Sequence, residues 1–340
     1  MPPSASLPVK RRVSRRRVDE TGGSLLQSPV HQLDLTKLKT YPLASRRSKV
    51  AHEAFARPPR KGISFERFFD GLPDILAARE LRKVVQAIVR AREQRKPVLW
   101  MMGAHVIKVG LNPLLIQLLR RKIVTAIALN GAGVIHDFEL SYMGCTSEDV
   151  AAALADGSFG MARETSEILN RAIRDGAKRR LGLGQAVGQT INRQRFPFRH
   201  LSLLATCAEL DIPATVHVAI GTDIIHQQAI ADGAAIGQTS LADFRRLIGV
   251  VSRLGGGGVV GNLGSAVILP EVFLKAVSIS RNLGHAVKDF TAFDFDMIRH
   301  YRPTENVLKR PTLLGGTAVS ITGHHELLIP LLAQAVIEAL

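Results

Sequence analysis

Cysteine is nearly absent: Cys145 and Cys207 are the two in 340 residues, far apart in the chain. They form neither a disulfide framework nor a CxxC metal pair, so a reducing, cytoplasmic setting is expected. Long apolar runs are missing too. Stretches such as Leu327–Leu332 fall well short of the roughly 20 residues a membrane helix needs, so no spanning segment is expected. The amino-terminal stretch has no apolar core of a secretory signal. No GxSxG elbow occurs, and neither cysteine stands in a recognisable nucleophile context. Histidine is plentiful, but His324-His325-Glu326 and His217 with His226 do not match HExxH, so no metal is expected.

Acids are scarce at the start. Residues 1–60 hold 13 Lys and Arg against four Asp and Glu, so more than half of the net charge of +16 sits there. Residues 1–62 read as a basic, Pro/Ser/Arg-rich extension without apolar periodicity, expected to be disordered. Weak phosphate contacts with nucleic acid are open to it, as is a merely solvated role. Residues 63–340 form the expected folded domain, and a hydrophobic fraction of 46% is ample for its core.

From residue 63 one motif recurs: a short apolar run, a polar or glycine turn, then an amphipathic helix. The spacing predicts a helix over 65–94, a strand over 97–102 and a helix over 113–121. Then follow a strand over 123–129, a helix over 134–143 and a helix over 161–175 that Gly176 caps. Residues 177–200 have no clear period. Further on come a helix at 201–210, strands at 213–220, 259–263 and 289–295, and helices at 240–254, 270–282 and 326–339. Near-continuous apolar strands alternating with helices imply an α/β fold. It is a doubly wound, mostly parallel, Rossmann-like sheet with helices on both faces. Right-handed crossovers gather the strand carboxyl ends on one edge. There the expected turns are Gly103-Ala104-His105, Asn130-Gly131-Ala132-Gly133, Gly221-Thr222-Asp223, Gly264-Ser265 and Thr291-Ala292.

Such an edge holds the ligand of an open α/β sheet. A dinucleotide needs glycine where backbone approaches its pyrophosphate, free N–H groups at a helix start, and an acid for ribose hydroxyls. Asn130–Gly133, Gly264-Ser265 and Asp223 suit these needs, although tight turns alone also call for glycine. Gly182, Gly184 and Gly188 are spaced GxGxxxG with no strand before them, and are read as structural.

The ordered set of turns resembles the deoxyhypusine synthases. Gly103-Ala-His-Val-Ile-Lys-Val-Gly110 and Asn130-Gly-Ala-Gly-Val-Ile-His-Asp137 stand where that family has Thr-Ser-Asn-x-x-Ser-Ser-Gly and Thr-Ala-Gly-Gly-Val-Glu-Glu-Asp. Pro213–Asp223 is similar to its strand ending in Thr-Asp. Leu263–Val267 is similar to its Leu-Gly-Gly-Gly-Val turn. Thr291–Asp296 and Arg302–Glu305 are similar to its Thr-Ala-Gln-Glu-Phe-Asp and Arg-Pro-Asp-Glu stretches, and Leu327–Leu332 to its closing helix. The likeness runs in order over roughly residues 63–340.

It implies a homotetrameric, NAD-dependent enzyme that passes an aminobutyl group from a polyamine through a lysine. Homospermidine synthases of the same family use putrescine as acceptor. Carried over, NAD contacts fall on His105, Asn130, Gly131, Ala132, Gly133, Asp223, Gly264, Ser265, Thr291, Ala292 and His324. Substrate contacts fall on His136, Asp137, Glu271, Asp296 and Glu305, and Lys309 becomes the catalytic nucleophile. The family's paired glutamates are replaced by Ile135-His136, and its Trp-Gly-Lys motif is missing. A different NAD-dependent reaction, with His136, His226 and His324 as acid/base groups, is the alternative. A non-enzymatic, RNA-associated protein using the basic extension is another.

Overall fold

The structure, a computed structural model, describes residues 32–340. The chain divides into two units at Lys49 and Val50. The described residues of the first unit are exposed and carry two short 3-10 turns, Leu35–Lys37 and Leu43–Ser45. The expected extension, residues 1–62, lies outside the described residues up to position 31.

The second unit is built on six strands: β1 (Val98–Met102), β2 (Ala126–Asn130), β3 (Ala214–His217), β4 (Val259–Leu263), β5 (Thr291–Asp296) and β6 (Thr317–Thr322). They form one sheet in the order β3-β2-β1-β4-β5-β6, every pairing parallel. β1 is the hinge of this order, with Leu99 beside Ala126 of β2 on one side and Val260 of β4 on the other.

The longer helices are α1 (Leu76–Glu93), α2 (Asn112–Arg120), α3 (Gly131–Met143), α4 (Arg163–Lys178), α5 (Leu183–Gln194), α6 (Leu203–Leu210), α7 (Gly233–Val251), α8 (Ile268–Asn282) and α9 (His325–Glu338). Alternation along the strands sorts them into two layers. Val98, Trp100 and Met102 of β1 face a core with α1, α2, α3, α6 and α9. Leu99 and Met101 face the other core, with α7, α8 and the π-helical turn Thr304–Lys309. The helices that precede β3, together with α9, thus cover one face and those between β3 and β6 the other. That is the doubly wound arrangement read from the sequence.

Several boundaries differ from the expected ones. The predicted helix over 65–94 breaks between Asp70 and Leu76, where Pro73 lacks the N–H a helix would need. Gly176 is no cap. α4 runs on to Lys178, and a Cβ at Gly176 would come within 2.5 Å of the Ala186 Cβ. α5 fills the stretch that showed no period. Its Gly184 and Gly188 press against the carbonyls of Ala214 and Leu204, so the GxGxxxG glycines serve helix packing. β6 was not anticipated: as an edge strand it buries chiefly Val319 and Ile321 among polar neighbours. Among the described residues no helix is long and apolar enough to cross a membrane, and no cluster of three or more His, Cys, Asp or Glu is placed to hold a metal.

Candidate functional site

The carboxyl ends of β1 and β4 stand at the switch in strand order, where a crevice is expected, and the turns that follow them meet backbone to backbone. Gly103, after β1, lies so close to Gly264, after β4, that a Cβ on it would sit 2.2 Å from the Gly264 carbonyl oxygen. Gly264 adopts φ +69, a backbone that residues with a Cβ rarely hold. Ala104, His105, Asn130, Ala132 and Gly264 are half-buried around these turns.

α3 opens at the end of β2. The Asn130 side chain accepts from Gly133 N at 3.0 Å, capping the helix. The N–H groups of Gly131 and Ala132 have no intrahelical partner at this end, and the helix dipole adds partial positive charge. The turn after β3 folds over the same helix start. Gly131 packs against Asp223 so tightly that a Cβ would meet its Oδ2 at 1.8 Å. Burial raises the Asp223 carboxyl above the usual range. His226 accepts from Gly221 N and Asp223 N through Nδ1, so its proton sits on Nε2. That Nε2 and Asp223 Oδ2 are both buried without a partner, 4.0 Å apart.

Beneath these turns lies His325, which the sequence presents only as part of the His324-His325-Glu326 run. His325 is fully buried, and its Nε2 lies 2.9 Å from the Phe295 carbonyl. Nε2 therefore carries the proton, and Nδ1 is a buried acceptor without a partner. The ring lies under Gly264 and 5.5 Å from the ring of His105. Burial, then the neighbouring His325, lowers the His105 pKa and favours its neutral form. His324, the expected contact, is exposed and faces Glu326 at 3.6 Å.

Deeper under the edge, Asn262 of β4 donates to Asp294 of β5 at 2.8 Å and to the Ser265 carbonyl at 3.0 Å, tying both strands to the turn. Burial pushes Asp294 up to about 6, partly countered by Asn262. A cleft of about 300 Å³ opens beside the edge between α7 and α8, lined by His217, Ser240, Phe244 and Val272 among others.

The other expected residues are placed variously. Thr291 and Ala292 begin β5 rather than end it, so they lie at the opposite edge, and the carboxyl end is Asp296. Asp296 Oδ1 accepts from Met297 N at 2.7 Å, with His300 Nε2 at 3.9 Å from Oδ2. Asp137 is sealed in the core and accepts from Asn112, Ser202 Oγ, Leu203 N and Leu204 N. It anchors the start of α6 instead of lining the edge. Burial pushes its carboxyl up to about 6 against those four bonds. His136 is half-buried against Thr146 at 2.7 Å, and burial lowers it to about 4. Glu271 is held by Lys275, Arg302 and Asn306. Lys309 is exposed, with its Nζ 2.7 Å from Glu305, on the connection that returns from the carboxyl edge to β6. Two residues on, the Pro311 carbonyl accepts from Arg281, which also holds the Val287 carbonyl ahead of β5. Lys309 is therefore not brought to the crevice.

No family model matches the chain, and no curated protein sequence does. Solved structures do match in fold. A conserved protein assigned to the LOR/SDH group, from Methanococcus maripaludis S2, superposes with a TM-score of 0.51 at 15% identity, over 86% of this chain and 75% of that one. A protein from Entamoeba histolytica assigned as a deoxyhypusine synthase gives 0.48 at 13% identity, over 82% and 94%. AgrE, in its ternary complex with ornithine and NAD+, gives 0.47 at 16% identity over 78% of this chain. The chain spans only 34% of AgrE's length. At such identities the likeness speaks to the fold.

Proposed function

We propose that the crevice between β1 and β4 binds NAD and that the chain is an NAD-dependent enzyme acting on a small molecule. The observation that carries this is the strand order itself. Its reversal at β1 brings two touching glycine turns to the carboxyl ends, at the switch point where doubly wound sheets take dinucleotides. The residues fit the group. The N–H groups of Gly131 and Ala132 suit a pyrophosphate. The orphaned Asp223 Oδ2 and His226 Nε2–H, 4.0 Å apart, present an acceptor and a donor that a ribose hydroxyl would bridge. Bound NAD would supply a hydride acceptor. His105, half-buried and favoured neutral, is then the group able to take a substrate proton beside it, with the His325 ring packed behind it.

Titration of the full chain with NAD, followed by calorimetry, tests the reading. Micromolar binding that Asp223→Asn weakens at least tenfold is expected. Absence of binding by NAD and NADP alike would overturn it.

Aminobutyl transfer from a polyamine is the narrower reading. It rests on the ordered resemblance of residues 103–137, 213–223, 263–267 and 291–305 to the deoxyhypusine synthases. Asp294, Asp296 and Glu305 are acids suited to a polycation. Lys309 would have to leave Glu305 and travel to the crevice to accept the group. Incubation with spermidine and NAD, with mass analysis for a butylamine adduct on Lys309, tests this. A homotetramer, which the resemblance also implies, is checked by sedimentation velocity.

A further inference from the structure

The opposite edge of the sheet carries a second concave surface. A groove of about 1100 Å³ runs over the amino ends of β1, β2 and β4, floored by Pro97, Thr125 and Gly255. The floor is fixed: Val98 N donates to Thr125 Oγ at 2.9 Å, and Val259 N to the Pro97 carbonyl at 2.9 Å. The rim is basic. α1 carries Arg92 in its last turn, before Glu93, and leads to Arg95 and Lys96, α2 leads to Arg121 and Lys122, and α7 leads to Arg253. Among the described residues none of these six has an acidic side chain within 4.0 Å. Arg120, also on the rim, pairs with Glu209.

Helix carboxyl ends attract cations, and one basic residue per terminus needs no other explanation. Two features go further. The three termini converge on one concavity, so their charges repel one another and raise the local potential instead of dispersing it. Arg95 and Lys122 also stand just past the caps of α1 and α2 at φ +55 and +53. Glycine fills that left-handed position without strain, and residues with a Cβ hold it at a cost. Long cations occupy both places.

We infer that this groove binds the phosphate backbone of a nucleic acid. Its volume exceeds the usual range of small-molecule pockets. The lining contains no aromatic or large apolar side chain, so it offers neither base stacking nor insertion into a membrane. What remains is a row of phosphate contacts without sequence readout. The groove lies at the edge away from the dinucleotide crevice and stands independently of it.

Fluorescence anisotropy of the full chain with a labelled 20-nucleotide oligouridine and a 20-base-pair RNA duplex tests the proposal across a salt series. Binding to at least one probe at low salt is expected, weakening as salt rises. Combined Arg95→Glu, Arg121→Glu and Arg253→Glu should reduce affinity at least tenfold and flatten the log–log salt slope by about 2 for the single strand, near 0.7 per lost contact. The Lys replacements at the same positions should keep the slope. Arg95→Gly with Lys122→Gly should weaken binding while melting no lower than the parent, which a structural role for these side chains would not give. The proposal is overturned if neither RNA binds, or if replacing Arg11, Arg12, Arg15, Arg16 and Arg17 by Ser abolishes binding while the groove variants leave it intact. It is overturned equally if phosphatidylserine vesicles are captured through the groove and RNA is not.

Discussion

Gly103 and Gly264 meet backbone to backbone: a Cβ on the first would lie 2.2 Å from the carbonyl oxygen of the second. Both contacting groups are main chain, so no rotamer change can relieve the clash. Gly103→Ala is expected to cost about 1–3 kcal/mol, as overpacked sites do, and to lower NAD affinity more than tenfold by prising β1 from β4. Chemical denaturation and NAD titration of the same sample check both parts.

Gly131 and Asp223 offer the contrasting case, because the obstacle there is a side chain. Gly131→Ala should destabilise by about 1–3 kcal/mol in the native background and by much less with Asp223→Ala, since the 1.8 Å collision with Oδ2 is gone. A double-mutant cycle showing additive effects would remove that contact from the account.

Asp137 should behave as a structural carboxylate. Asp137→Ala leaves the Leu203 and Leu204 N–H groups, the Ser202 hydroxyl and the Asn112 amide with a lost acceptor in the core. A loss on the order of 3 kcal/mol or more is expected, with the KM of any NAD-dependent turnover unchanged in the protein that still folds. A raised KM at unchanged stability would instead return Asp137 to the substrate site.

Asp243 on α7 predicts a pH dependence. Its Oδ2 accepts from Gly184 N and Val216 N, both at 2.9 Å, and burial pushes the carboxyl up to about 7. The folded chain therefore holds this proton more tightly than the unfolded chain. The favourable contribution is complete below the ordinary carboxylate value and fades as pH rises towards 7. Asp243→Asn should remove that fall, worth up to ~4 kcal/mol across the window. Urea denaturation of parent and variant at pH 4, 5.5 and 7 gives the difference directly, and parallel curves would refute the assignment.

Lys309→Ala separates the two enzymatic readings. If the reaction uses His105 beside the cofactor, the substitution should change NAD-dependent turnover less than twofold, while aminobutyl transfer would lose all of it. Steady-state rates on a panel of amines, followed at the nicotinamide absorbance, decide between them.

The sheet was legible because buried parallel strands announce themselves as apolar runs, and turns such as Asn130–Gly133 carry their chemistry locally. β6 was hidden because an edge strand keeps polar residues on its open side, as in Thr317–Thr322. The expected strand over 289–295 covers nearly all of β5, but Thr291 and Ala292 open that strand, so the carboxyl end falls at Asp296. The sequence cannot tell exposed His324 from buried His325, because adjacent identical residues differ only in the direction α9 turns them when it docks. The burial of Asp137 is hidden for the same reason: the likeness identifies an acid but not the face of α3 on which it lies.

The strand order also governs when the crevice can come into being. β1 pairs with β4 through Val98 and Val259, residues separated by most of the domain's length. Local helices and the β1–β2 ladder can assemble on a chain still emerging from the ribosome, but the crevice has only one wall until residues beyond 259 arrive and β4 docks along β1. A ligand seated there can reward only the completed fold, and the half-made protein must survive synthesis without its help.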